Sequence, residues 1–472
     1  MKKLLLWIFL LTIWHSLLFF EKKLGLSVIL FILPTLALLY YVFKKNNKIR
    51  NKQGLYWMIP IILLSSTYFL FNNSFFSLLN LFVIPILFTL LYIDTIEPTD
   101  NLTAIVTKSF DFLVEPVKKV PNVLRLVKGN IMTKVNPKPK VRKTIKALLI
   151  ITPIIIVIII LLSSADMIFK NIVQTIIDIP NNFFSKATYS NFIKRVLLGI
   201  IIYLYISASI NYLLFHQQKE IEEPKAERKD PHTIKLLLLV LNIIYFIFDI
   251  IQIKSLFLHS VSSNINYAEY ARQGFFQLML ISIINITIIL ITKKYKEKNS
   301  KKDKRYINAM SITMVGLTFI IIISSFLRMN LYEAQFGYTL LRLLVYITLF
   351  TEIILLIPTI MYIIKPKLNI VKAYICIIIT SYTIINFLNI DNIIATRNIQ
   401  RYDKKADIDI NYLMNNKTDN IPTLVKFYEN THDDGIKQLL DDYFRYIIIE
   451  MDSFQEFNLS KYKAIHQLEK FK

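Results

Sequence analysis

Apolar residues run through this chain in unbroken blocks of helix-spanning length. Runs such as LLIITPIIIVIIILLSS (148–164) and MSITMVGLTFIIIISSF (310–326) carry no charge. Each is near the roughly 20 residues a helix needs to cross about 30 Å of hydrocarbon. Their β-branched residues do not argue for strands, because lipid leaves the backbone only a helix or a closed barrel. No ten-residue alternation of the barrel kind is present. Windows of about 19 residues predict about eleven spans, near 4–20, 24–43, 55–72, 74–93, 146–164, 196–215, 234–258, 273–292, 307–327, 339–363 and 370–388. The predicted fold is all-α: a polytopic transmembrane bundle with a small C-terminal helical region outside the membrane. N-terminal hairpins occupy 1–93, a basic loop with an interfacial helix 94–145, a core bundle with an outer polar rim 146–388, and a helical tail 389–472.

The charges between the spans set the orientation. KKNNKIRNK (44–52) holds five Lys/Arg and no acid, KKYKEKNSKKDKR (293–305) holds eight and KPKLNIVK (365–372) three, whereas the turn FNNSF (71–75) has none. By the positive-inside rule the N-terminus is cytoplasmic and the C-terminal tail extracytoplasmic, in a cell membrane. One stretch disagrees: Lys170, Lys186, Lys194 and Arg195 fall in the predicted outer loop 165–195, which is apolar enough to be re-entrant. The N-terminus has the charged start and apolar core of a signal peptide but no small-residue cleavage site, and reads as a first span.

The stretch 102–135 mixes apolar residues with Lys108, Lys118, Lys119, Arg125 and Lys128, which predicts a basic interfacial helix interrupted at Pro116 and Pro121. In the tail, Ile436, Leu439, Leu440, Tyr443, Phe444, Ile447 and Ile448 follow the spacing of one apolar helical face after an Asp433 or Asp434 cap. A last short helix is expected near 460–471, starting from Asn458 or Ser460. A tail of this size buries little surface alone, so it is expected to pack partly on the membrane region.

Composition removes several classes of function. The net charge of +23 would raise nucleic acid as a partner in a soluble chain. Here the lysines lie in short loops between spans, so the expected partners are the bilayer and anionic lipids at the inner loops. Cys376 is the only cysteine, which excludes an internal disulfide, a redox pair and a multi-cysteine zinc site. Eight glycines form neither GxGxxG nor GxxxxGK[ST], the six histidines have no HExxH spacing, and no GxSxG elbow occurs. No cofactor or metal is expected, and the chain leans towards a non-catalytic role.

What remains is a set of polar residues at membrane depth or at its outer edge, where an unpaired ionisable group is costly and by default functional. Asp249 and Lys254 occupy the outer part of span seven; Tyr267, Glu269, Tyr270 and Arg272 open span eight; Arg328 closes span nine, with Tyr332 and Glu333 in the turn. Arg342 starts span ten, Glu352 lies deeper on it, and Asn389, Asp391, Arg397 and Asn398 leave span eleven. Asp249 and Lys254 are five apart, a poor helical pairing distance. Arg272, Arg328 or Arg342 is the better expected partner for Asp249. Two readings stand: an outward cavity in which arginines grip an anionic group, or structural pairs that fix helix packing.

The pieces YAEYARQGFF (267–276), RMNLYEAQFGYTLLRL (328–343), NIDNIIATRNIQRY (389–402) and DINYL…DNIP (409–422) resemble a family of bacterial multi-pass membrane proteins known as domain of unknown function 4173, with the related family 4153. The resemblance is specific over about 250–422. It implies a polytopic bacterial membrane protein and carries no activity. The leading expectation is an envelope protein that binds a lipid, glycan or protein partner at its outer face, with a role in signalling. The alternatives are a transporter or flippase and an envelope-modifying transferase.

Overall fold

The computed structural model describes residues 2–128, 190–215, 231–257, 275–296, 300–404, 407–415 and 418–471, and all its regular elements there are helical. In chain order these are α1 (Lys2–Phe19), α2 (Leu26–Lys45), a 3-10 turn (Lys52–Trp57), α3 (Met58–Leu70), α4 (Ser74–Ile96) and α5 (Leu102–Lys128). After the first undescribed stretch come α6 (Ser190–Phe215), α7 (Pro231–Phe257), α8 (Phe275–Lys296), α9 (Lys301–Phe336), α10 (Leu340–Ile364) and α11 (Ile370–Phe387). The tail forms α12 (Ile390–Tyr402), α13 (Ile410–Met414), α14 (Ile421–Asn430), α15 (Asp434–Tyr446) and α16 (Leu459–Leu468). Among the described residues eight helices are long and apolar enough to cross a membrane, and Leu4–Phe19 and Gln277–Lys293 are shorter apolar helices. Ten of the expected windows fall on these helices. The eleventh, near 146–164, lies outside the described residues, as does most of the loop 165–195.

Two helix clusters share the membrane region. α1 to α6 form one, and α7 to α10 the other, with α11 packed against both α3 and α10. The second cluster is organised around α9. Its Ser311, Met314, Thr318, Ile321, Ser325 and Arg328 are spaced alternately three and four residues apart, and all are buried. Small and hydroxyl side chains at that spacing let helices approach closely in lipid, where association depends on packing and interhelical hydrogen bonds. α7, α8 and α10 all pack on α9. On α7, by contrast, Leu236, Ile243, Phe246, Ile247 and Ile251 remain exposed, as apolar residues facing lipid do.

In the first cluster, α3, α4 and α11 are joined by a buried amide. Asn80 donates to Asn386 Oδ1 at 2.8 Å and to Thr67 Oγ1 at 3.2 Å, and accepts from the Tyr382 hydroxyl at 2.7 Å.

Three expectations change. α9 extends to Phe336, so Arg328, Tyr332 and Glu333 sit inside a helix. Arg328 lies eight residues before its end, about 12 Å deeper than the turn at 1.5 Å per residue. α5 runs unbroken through Pro116 and Pro121. Each proline removes one backbone donor, and packing along α4 and α6 holds the helix across them. Lys194 and Arg195 lie on α6, and Arg195 donates to Ser16 Oγ at 2.9 Å and to the Ser16 carbonyl at 3.3 Å. Its charge therefore neutralises the C-terminal end of α1, where a cation is favoured, and that use explains a basic residue at a place the charge rule disfavours.

The turns sort onto two faces. Arg50 N–H donates to the Thr95 carbonyl at 2.9 Å, Lys372 pairs with Asp94 at 3.2 Å and Asn369 bonds Asp100, so the basic loops after α2 and α10 lie together beside the acidic end of α4. The α1–α2, α3–α4 and α9–α10 turns lie at the opposite face, beneath the tail.

Candidate functional site: a cap latched to three turns

Helices α12 to α16 form a cap whose core does not close on itself. Ile394, Ile421, Leu424, Leu440 and Phe444 are fully buried, and Phe76, Leu340, Leu343, Ile347 and Tyr382 of the membrane helices pack against them. The cap thus completes its core on the ends of α4, α10 and α11 that lie away from the basic loops. α15 begins at its Asp433 cap, which accepts Ile436 N–H at 3.1 Å. Its buried face is narrower than the sequence spacing predicts: Leu439 is 45% exposed and Ile448, beyond the helix end, 80%. α16 begins one residue earlier than expected, with Asn458 as its cap.

Polar contacts tie this cap to the α1–α2, α3–α4 and α9–α10 turns. At α9–α10, Asn398 Nδ2 donates to the Tyr338 carbonyl at 2.9 Å and Tyr338 N–H donates to Asn398 Oδ1 at 2.8 Å. One side-chain amide therefore pairs with both backbone groups of a single residue, as a residue of a neighbouring strand would. Arg401 donates to the Ala334 carbonyl at 2.7 Å, and Tyr412 accepts Leu340 N–H at 3.0 Å. At α3–α4, Asn72 N–H donates to Asp419 Oδ1 at 2.8 Å, Asn73 donates to Asp391 Oδ2 at 2.8 Å, and Asn458 donates to the Tyr68 and Phe71 carbonyls. At α1–α2, Leu26 N–H donates to the Phe457 carbonyl at 3.0 Å, and Lys23 pairs with Glu450.

The expected rim residues divide among these parts. Asn389 caps α12 by accepting Asn392 N–H, and Asp391 and Asn398 serve the latch. Arg397 is exposed. Arg342 lies over the Tyr332 ring at 4.4 Å and donates to the Phe336 and Gly337 carbonyls, which neutralises the C-terminal end of α9. Arg328 donates to Gln252 Oε1 at 2.8 Å, an oxygen that Ser324 also bonds. Arg328 and Arg342 thus serve different partners at different depths. Asp249 is buried, and neither of its carboxylate oxygens has a hydrogen-bond partner among the described residues. Glu352 accepts the Ser282 hydroxyl at 2.5 Å through Oε2. The side chain of Lys254 and residues Tyr267, Glu269, Tyr270 and Arg272 lie outside the described residues. Sequence reasoning did not join Asn72, Asn73, Asp419 and Asn458 into a latch; the signals were separate, with amides clustered at a hairpin turn, Asp419 inside a motif-bearing piece and Asn458 at a helix start.

Asp419 gives the latch a pH dependence. Burial pushes its carboxyl up to about 6 from an ordinary 3.8, with Asp391 adding to the rise and bonds from Ser460 and Asn72 opposing it. A carboxyl whose folded value exceeds its unfolded one binds more protons when folded. Its stabilisation is therefore full below about pH 4 and is lost as pH rises through about 6. Asp419→Asn is expected to remove that slope and to raise stability at neutral pH by about 2 kcal/mol. Melting temperatures of wild type and variant in detergent at mildly acidic and neutral pH check this; parallel pH profiles would contradict it.

A cleft of about 1020 Å³ opens in the cap between α12 and α14. Tyr402 and Phe427 form an edge-to-face pair at 5.7 Å on its wall, and the Tyr402 hydroxyl donates to Asp433 at 2.9 Å. The α15 amides and that hydroxyl hold the Asp433 carboxyl below its ordinary value, so it stays ionised. Asp403 and Asp407 add two further carboxylates, Lys426 one cation, and Thr396, Gln400, Thr423 and Asn430 neutral donors and acceptors. Among the described lining residues three carboxylates stand against Lys426, with His432 beside them, in a strongly cationic chain. Among the described residues no group of three or more His, Cys, Asp or Glu side chains could hold a metal ion.

A bundle of membrane-length apolar helices, carrying a helical cap latched to one face, defines a multi-pass helical membrane protein. The chain belongs to the family described as Domain of unknown function (DUF4153), which matches residues 58–427. The match is to the second of the two related families that the motifs resemble, and it begins at α3, well before the motif-bearing pieces. No curated protein and no solved structure shows significant similarity to the chain.

Proposed function

We propose that this protein is a non-catalytic envelope receptor whose cap faces outward and binds a hydroxyl-rich, amine-bearing glycan in the α12–α14 cleft. The observation that carries this is the cleft's chemistry: an aromatic wall, neutral amides and hydroxyls, and three carboxylates against one lysine. Ring faces and planar amides suit sugars, and the carboxylates favour a ligand bearing ammonium groups over an anionic one. The basic loops lying on the opposite face support an outward cap and a cytoplasmic N-terminus. The latch gives ligand binding a mechanical route to the helices, since α12 carries both cleft and latch residues.

The full chain in lipid nanodiscs, titrated calorimetrically with a short glucosamine oligosaccharide, is expected to bind it saturably and to bind the N-acetylated counterpart more weakly. Loss of two charge-assisted contacts in the double variant Asp403→Asn/Asp407→Asn is expected to weaken binding at least about tenfold. Absence of saturable binding, or equal affinity in the double variant, would overturn the proposal.

A further inference from the structure

A second cavity lies far from the cap. Between the 3-10 turn with α3 on one side and α11 on the other runs a groove of about 450 Å³. Its charged residues gather at the end nearer the basic loops, where Asp94 accepts the Trp57 indole N–H at 2.6 Å and pairs with Lys372 at 3.2 Å, whereas Thr380 and Thr383 lie along the far part. From there the groove continues past Cys376 and Leu63 to Ile384. Lys372 and Ile384 are twelve residues apart on one helix, about 18 Å at 1.5 Å per residue. That is close to one leaflet of a hydrocarbon core about 30 Å thick. The walls are open on the lipid side among the described residues, with Tyr56, Ile59, Leu63 and Ile384 all exposed.

The chemistry of the polar end selects a head group. Asp94 is already matched by Trp57 and Lys372, and an ammonium has three donors, of which this ion pair occupies one. The neighbouring loop is pinned beside Asp94 by the Arg50 and Asn51 N–H groups on the Thr95 carbonyl. That loop, 44–52, holds five basic residues and no acid, with Lys52 exposed at its end. Lys365 and Lys367 are exposed at the start of the α10–α11 loop. Asp100, bonded to Asn369, is an acid at this mouth, but the basic residues of the two loops outnumber it, so the field there is positive, and the depth behind it is mainly apolar.

We propose that this groove seats one anionic phospholipid of the basic-face leaflet. An acyl chain lies between α3 and α11, and the phosphate sits at the mouth within reach of Lys372 and Lys52. This sharpens the general attraction of basic loops for anionic lipid into one defined place, and it is independent of the glycan cleft.

Trp57 is the built-in probe, because the chain has only three tryptophans and the other two, Trp7 and Trp14, lie on α1. The full-length Trp7→Phe/Trp14→Phe variant is reconstituted in phosphatidylcholine vesicles containing a minor fraction of phosphatidylglycerol. Bromine is placed on the acyl chains of either lipid in turn. Brominated phosphatidylglycerol is expected to quench Trp57 more strongly than the same fraction of brominated phosphatidylcholine. Lys372→Ala should lower that preference about fivefold, the effect of one basic residue at an anionic surface.

Because Lys372→Ala also removes a partner of Asp94, a second variant separates folding from binding. Thr380→Phe changes an exposed residue lining the groove; it fills the space and should abolish the preference without shifting the Trp57 emission maximum. Equal quenching by the two lipids would reduce the groove to ordinary annular contact. No quenching by either would mean that protein covers it. Either result overturns the proposal.

Discussion

Gly337→Ala is expected to release the cap from the α9–α10 turn. Gly337 has φ +78°, a left-handed conformation that costs an L residue free energy. A Cβ built there would lie 2.5 Å from both Asn398 Oδ1 and Arg401 Nη1. The arginine can swing aside, but the Asn398 amide can move only by giving up both of its bonds to Tyr338. Backbone strain together with two buried groups left unpaired places the cost at about 3–5 kcal/mol. The control is internal to the chain. Gly316 lies within α9, the helix that Gly337 terminates, with nothing beyond its own helical backbone within 4 Å of an added Cβ, so Gly316→Ala should be neutral or stabilise the helix by about 1 kcal/mol. Melting temperatures in detergent, read with hydrogen exchange at the Tyr338 amide, measure the contrast. Equal stability of the two alanine variants would remove the proposed role of the latch.

The second large effect is at the opposite face, where Gly54→Ala is expected to separate the 3-10 turn from α4. An added Cβ would collide with Thr95 N and meet Thr95 Oγ1 at 2.5 Å and the Asp94 carbonyl carbon at 2.6 Å. Two of these are backbone atoms inside a helix and cannot rotate away, so the turn itself must move. Movement there endangers the Trp57–Asp94 bond and both N–H bonds to the Thr95 carbonyl, at a cost of about 3 kcal/mol or more. Trimming the side chain does not relieve a backbone clash, so Gly54→Ala/Thr95→Ala should be no more stable than Gly54→Ala. Rescue by Thr95→Ala would show that the contact is with the side chain instead.

The two glycines mark the two faces of the molecule, and neither is distinguished in the sequence by more than its scarcity. Gly337 sits inside one of the motif-bearing pieces, which do not say why it is there. The structure does: the outer polar residues expected to face a common ligand are in large part joints. Asn398, Asp391 and Asn389 hold α12 in place, and Arg342 neutralises the end of α9. Arg328 lies two helical turns below, on Gln252. The cleft residues Tyr402, Asp403 and Asp407 had no signal of their own, because exposed polar residues at a helix end are ordinary in any sequence.

The positions of the helices were legible from residue order alone. In lipid each span must satisfy its own backbone, so an apolar run of sufficient length has one structure available to it. The alternation of basic and neutral loops likewise foretold that the turns would sort onto two faces. Which polar residues meet was decided only by the tertiary structure: Asn72 finds Asp419 across 347 positions and Asn398 finds Tyr338 across 60. A hydrogen bond depends on distance and angle between two groups, and a sequence carries the identity of each group but not the geometry that joins them.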